Sequence, residues 1–155
     1  MKLYIREKVF SWKDGFDILD SDGDRVYKCR GEETPFGHKF EILGKRDKMA
    51  EIHEKMIKLR PKYTVEIGKK EFEVIKKAIG IGDNFIVKGL DWEISGDVIH
   101  HKYEIKHGRE TIAKIRKKML RAMDTYELDV AEDKNNLETV CCAVIVDAIV
   151  FGDKK

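Results

Sequence analysis

Ile115-Arg116-Lys117-Lys118-Met119-Leu120 runs on to Tyr126-Glu127-Leu128-Asp129-Val130, with the tyrosine eleven residues after the first isoleucine. The same offset joins Ile52-His53-Glu54-Lys55-Met56-Ile57 to Tyr63, and Ile5-Arg6-Glu7-Lys8-Val9-Phe10 to Phe16. Ile75-Lys76-Lys77 opens a degraded copy, with Ala78 at the lysine position and Phe85 and Ile86 near the aromatic one. An interval of twelve residues separates Phe40 from Ile52, Tyr63 from Ile75 and Tyr103 from Ile115. Each interval holds a turn, at Gly44 to Lys48, Gly68 to Lys70 and Gly108-Arg109. Two short strands around a tight connection use about twelve residues, so each unit reads as a β-hairpin. The chain is a meander of variants of one unit.

Strand chemistry agrees with the spacing. Tyr63, Val65 and Ile67 alternate with Thr64 and Glu66, and Tyr126, Leu128 and Val130 alternate with Glu127 and Asp129. A period of two marks a half-buried strand. Asp14-Gly15, Ser21-Asp22-Gly23-Asp24 and Ser95-Gly96-Asp97 supply further turns. Pro35 and Pro61 fall in connections, where a missing N–H costs no ladder bond. The alternation predicts about twelve strands between Leu3 and Ala131. So many strands with no amphipathic helix require closure, because an open sheet would expose pairing edges.

The run from Asn135 to Gly152 departs from this pattern. Asn135 or Asn136 suits a helix N-cap, Glu138 suits the first turn and Gly152 the stop. Val140 to Phe151 is apolar on every side apart from Asp147, and such a helix must be surrounded. The barrel itself is the simplest enclosure. Twelve residues are too few to span a bilayer, which takes about 20.

Composition narrows the function classes. The 155 residues are 42% hydrophobic, and 31 Lys+Arg against 29 Asp+Glu leave a formal charge of +2. That balance describes a soluble surface dense in both charges and argues against a broadly basic nucleic-acid binder. Three cysteines, Cys29, Cys141 and Cys142, form no disulfide framework. They fit a reducing cytoplasmic setting. The charges of Met1 to Lys8 replace the apolar run of a signal peptide.

Several stretches resemble the LURP-one-related family of the tubby C-terminal-like superfamily, which also holds tubby and phospholipid scramblase proteins. They are Ile5 to Trp12, the Asp20-Ser-Asp-Gly-Asp24 turn, Gly89-Leu-Asp-Trp92-Glu-Ile-Ser-Gly-Asp97, Asp124-Thr-Tyr-Glu-Leu128 and Ala143-Val-Ile-Val-Asp147-Ala-Ile. The resemblance spans essentially the whole chain. It implies a closed twelve-stranded barrel around a hydrophobic C-terminal helix, and binding of membrane lipids or regulation rather than catalysis. The phosphoinositide motifs of tubby proteins are not recognisable, so no binding residue carries over.

Candidate sites are few. Asp20, Asp22 and Asp24 begin like a calcium loop, but Arg25 and Gly31 stand where an EF-hand needs Gly and Glu, so a hairpin turn is the better reading. His38, His53, His100, His101 and His107 lack zinc-ligand spacing, and a metal site would need ligands gathered from distant strands. The paired cysteines in the apolar run read as inert buried thiols. Trp12 and Trp92 read as packing residues. Asp147 must be hydrogen-bonded, paired, protonated or at a barrel mouth, and a tie between helix and strand is expected. Lys8, Lys55 and Lys118 each follow a repeat isoleucine by three residues, an odd offset that turns them outward if the isoleucine is core. With Lys76, Lys77 and Arg116 beside them they either guard sheet edges or, if the repeats gather in space, form a patch for anionic headgroups.

These features predict one domain over residues 1–155: strands over about 3–131 closing a twelve-stranded antiparallel barrel, and a central helix over about 136–151. The expected function is a non-catalytic binding or regulatory module without cofactor or metal, meeting anionic phospholipid or a protein partner. The alternative is a small-ligand carrier or enzyme using a pocket at a barrel end near Asp147.

Overall fold

The computed structural model describes residues 1–6, 15–35, 37–57, 60–77, 83–97, 100–120 and 123–151. Twelve strands follow one another: β1 (Lys2–Arg6), β2 (Phe16–Leu19), β3 (Arg25–Thr34), β4 (Gly37–Leu43), β5 (Lys48–Ile57) and β6 (Arg60–Ile67) make the first half. β7 (Lys70–Lys76), β8 (Asp83–Lys88), β9 (Trp92–Asp97), β10 (Lys102–His107), β11 (Glu110–Leu120) and β12 (Met123–Val130) make the second. Each pairs antiparallel with the next, and β1 pairs with β12, so no edge is left open. The seam sets Leu3 against Leu128 and Ile5 against Tyr126. A 3-10 turn, Asp133–Asn135, leads into the helix α1 (Asn136–Phe151).

Alternation sorts side chains to the two faces as the repeat requires. Ile5, Ile52 and Ile115 are buried, and so are their aromatic followers Phe16, Tyr63 and Tyr126. Inside lies α1, whose residues Val140 to Val146 are buried without interruption. Seven successive buried positions cover every direction around a helix of 3.6 residues per turn, so barrel wall surrounds it on all sides. Propensity alone would let this valine-rich run be a strand. With all twelve strand positions already filled, enclosure as a helix is what satisfies its backbone.

Turn chemistry fixes the ends. Asp20 accepts backbone N–H bonds from Asp22 and Asp24 on Oδ1 at 2.9 Å, so its carboxylate belongs to the hairpin turn. The Gly89-Leu90-Asp91 stretch is the β8–β9 turn, with positive φ at Gly89 and Asp91. A Cβ on Gly89 would stand 3.0 Å from that of Phe72, so glycine is needed for space as well as for φ.

Candidate functional site

The strand order decides which of the repeated basic residues meet. Lys55 and Lys118 are exposed and on the face opposite their buried isoleucines. However, β5 and β11 lie six strands apart in a closed ring of twelve, so these two lysines stand on opposite sides of the barrel. The degraded copy is out of phase. Ile75 pairs with the exposed Ile86, while Lys76 pairs with the buried Phe85, on the same side of β7 as Phe72 and Val74. Lys77 lies just past β7, with Nζ 3.7 Å from Glu93. Lys8 and Trp12 lie outside the described residues; Trp92 is buried in the core.

Arg116 and Lys118 fall in a continuous basic face on β10, β11, β12 and β1. Three rows of outward partners cross it. Lys118, Thr125 and Arg6 form one; Lys102, Arg116, Glu127 and Tyr4 the next; Glu104, Lys114, Asp129 and Lys2 the third. In these rows six cations surround three carboxylates. Glu127 sits at the centre, only 12% exposed, with Lys118 Nζ at 3.5 Å, Lys2 Nζ at 3.8 Å and the Tyr4 hydroxyl donating at 3.4 Å. Lys102, Lys114, Arg116 and Arg6 remain exposed around it. The arrangement suits a multivalent anion, because the strands hold the charges in place before any ligand arrives.

Asp147 ties the helix to the wall. Tyr126, on the interior side of β12, donates its hydroxyl to Asp147 Oδ1 at 2.7 Å. Lys117 lies with its Nζ 5.2 Å from the centre of the same ring. Breaking such a bond costs about 1–3 kcal/mol when a partner is left unsatisfied. Tyr126→Phe and Asp147→Ala should each lower the melting temperature by several degrees, and the double variant by less than their sum. Strictly additive losses in thermal melts would show that the two groups act independently.

Two polar arrangements escape a reading of spacing along the chain. At the same end of the barrel, Glu54 takes the interior parity of β5 opposite Tyr63 and accepts the tyrosine hydroxyl at 2.9 Å. His38 Nδ1 lies 2.8 Å from the same carboxylate oxygen. The signal was parity: Glu54 is an even step from Ile52. On the outer face of β4 to β7, a groove of about 720 Å³ is lined by His53, Lys55, Thr64, Glu66 and Glu71 among others. The cysteines, by contrast, behave as their sequence context implied. Burial pushes the thiols of Cys29, Cys141 and Cys142 upward, away from the reactive thiolate. No helix among the described residues is long and apolar enough to cross a membrane.

Known proteins share both the sequence and the architecture. A solved X-ray structure of an Arabidopsis thaliana protein superposes with a TM-score of 0.61, covering 96% of this chain and 91% of that one, at 14% identity. That likeness is one of fold. The uncharacterized protein YxjI of Bacillus subtilis (strain 168) is 30% identical over 156 residues, which cover 99% of this chain and 96% of the relative. The family model described as LURP-one-related matches residues 1–147, from β1 to the last turns of the enclosed helix. With its twelve-stranded barrel, its buried helix and that match, the chain belongs to the LURP-one-related family.

Proposed function

We propose that the protein is a non-catalytic docking module that seats the β10–β11–β12–β1 face on anionic phospholipid headgroups. The observation that carries this reading is the convergence of Lys2, Arg6, Lys102, Lys114, Arg116 and Lys118 on four adjacent strands. A closed barrel with a filled interior presents such charges on a rigid surface, so little ordering entropy is lost on docking. Superfamily resemblance to lipid-associated proteins points the same way, as analogy. Co-sedimentation with vesicles containing phosphatidylserine tests the proposal. Binding should be present at low ionic strength and fall steeply as salt shortens the Debye length to about 10 Å at 0.1 M. Equal retention by neutral phosphatidylcholine vesicles, or none by anionic vesicles at low salt, would remove it.

A further inference from the structure

The groove on the other side of the barrel has its own chemistry. Alternation sends Glu51 and His53 outward from β5, and Thr64 and Glu66 stand directly opposite them on β6, Glu51 against Glu66 and His53 against Thr64. One ligand atom from each of Glu51, His53 and Glu66 lies within 4.8 Å of the other two. The row extends on both flanks, where Glu41 faces Glu51 and Glu71 faces Glu66. Four carboxylates in direct cross-strand succession repel one another, and a cation among them relieves that repulsion. Lysines answer this at one end of the row, where Lys48 Nζ lies 2.7 Å and Lys39 Nζ 3.3 Å from Glu51, and Lys39 Nζ also lies 3.7 Å from Glu41. Glu66 and Glu71 have no ion pair among the described residues.

An independent observation comes from Thr64. The residue is 97% buried, although it sits among outward positions, and its Oγ1 has no hydrogen-bond partner among the described residues. It lines the same groove as His53, Glu66 and Glu71. An orphaned buried hydroxyl is costly, and an acidic face that is merely solvated gives no reason for one.

We propose that Glu51, His53 and Glu66 bind a divalent transition-metal ion of the zinc class, with Thr64 Oγ1 holding a water on the ion. One imidazole and two carboxylates from paired strands give three protein ligands and leave a position for water. The imidazole favours zinc-like ions over magnesium or calcium, which take oxygen ligands. Glu51 already engages cations, with Lys48 and Lys39 at its carboxylate. Both lysines are long and can turn to solvent when the ion replaces them.

Titration calorimetry of the full chain with zinc chloride at neutral pH tests the site. The expected result is one zinc per chain, with magnesium far weaker. His53→Ala and Glu66→Gln should each weaken zinc by about a hundred-fold or more, and Thr64→Val by about ten-fold with the stoichiometry kept. Both charged positions are on the outer face, so thermal melts of the metal-free variants should match the parent. Absence of stoichiometric binding, equal affinity for magnesium, or unchanged affinity in both His53→Ala and Glu66→Gln would overturn the proposal. The site is separate from the β10–β11–β12–β1 face, so the vesicle experiment and this one can fail independently.

Discussion

Replacing Ile145 with aspartate is expected to leave the chain unfolded at room temperature. Ile145 is fully buried within the uninterrupted run from Val140 to Val146. A carboxylate there has neither water nor a partner, and an unpaired buried charge costs several kcal/mol even after relaxation. Domain stabilities are about 5–15 kcal/mol in total, so the margin disappears. A graded series keeps the test quantitative. Ile145→Val should cost about 1 kcal/mol and Ile145→Ala about 2–5 kcal/mol, the spread reflecting how far the cavity can collapse. In a protein of this size each kcal/mol lowers the melting temperature by about 2–4 °C. Near-ultraviolet circular dichroism during thermal melts reads both effects. A cooperative, parent-like melt for Ile145→Asp would mean that the helix is not enclosed by the barrel, which would undo the fold itself.

The double reversal Arg116→Glu with Lys118→Glu should reduce partitioning onto anionic vesicles by roughly a thousand-fold. Each Lys or Arg near an anionic surface contributes about 1 kcal/mol, and reversal removes that attraction while adding repulsion of similar size, about 4 kcal/mol for the pair. The loss should be largest at low ionic strength and shrink as salt screens the face. Both side chains are exposed, and such surface changes usually alter stability by no more than about 0.5 kcal/mol. Lys55→Glu is the matched control, since it makes the equivalent change in another copy of the repeat, six strands away. It should leave partitioning within about two-fold. If the double reversal binds like the parent, or the Lys55 change matters as much, the proposed docking face is wrong.

The comparison of Lys55 with Lys118 also shows what the sequence could carry. Strand parity is local: the three-residue step from Ile52 to Lys55, or from Ile115 to Lys118, is enough to assign one residue to the core and the other to solvent. Neighbourhood on the surface is not local. It depends on how many strands intervene, and a repeat of near-identical units gives every copy the same parity while scattering the copies around the ring. Phase could be misjudged too, as at Ile75, where the apolar residue stands outside because the degraded unit pairs Ile75 with Ile86. The tie made by Asp147 was foreseeable from the cost of an isolated carboxylate, but its partner Tyr126 needed the helix to be placed against β12. The Glu51, His53, Thr64 and Glu66 square lay within reach of sequence reasoning. Centring the hairpin on 58–59 pairs 51 with 66 and 53 with 64. A search for ligand spacing along the chain missed it because the spacing runs across strands.

The basic face has one consequence for how the molecule meets a charged surface. Its three rows hold a formal charge of +3, six cations against three carboxylates, whereas the whole chain carries +2. Everything else on the protein therefore sums to −1. A chain that looks nearly neutral is in fact polarised, and a negative surface exerts a torque on it before contact. Of all the orientations in which the barrel could arrive, those leading with β11 and β12 are the ones that the field selects.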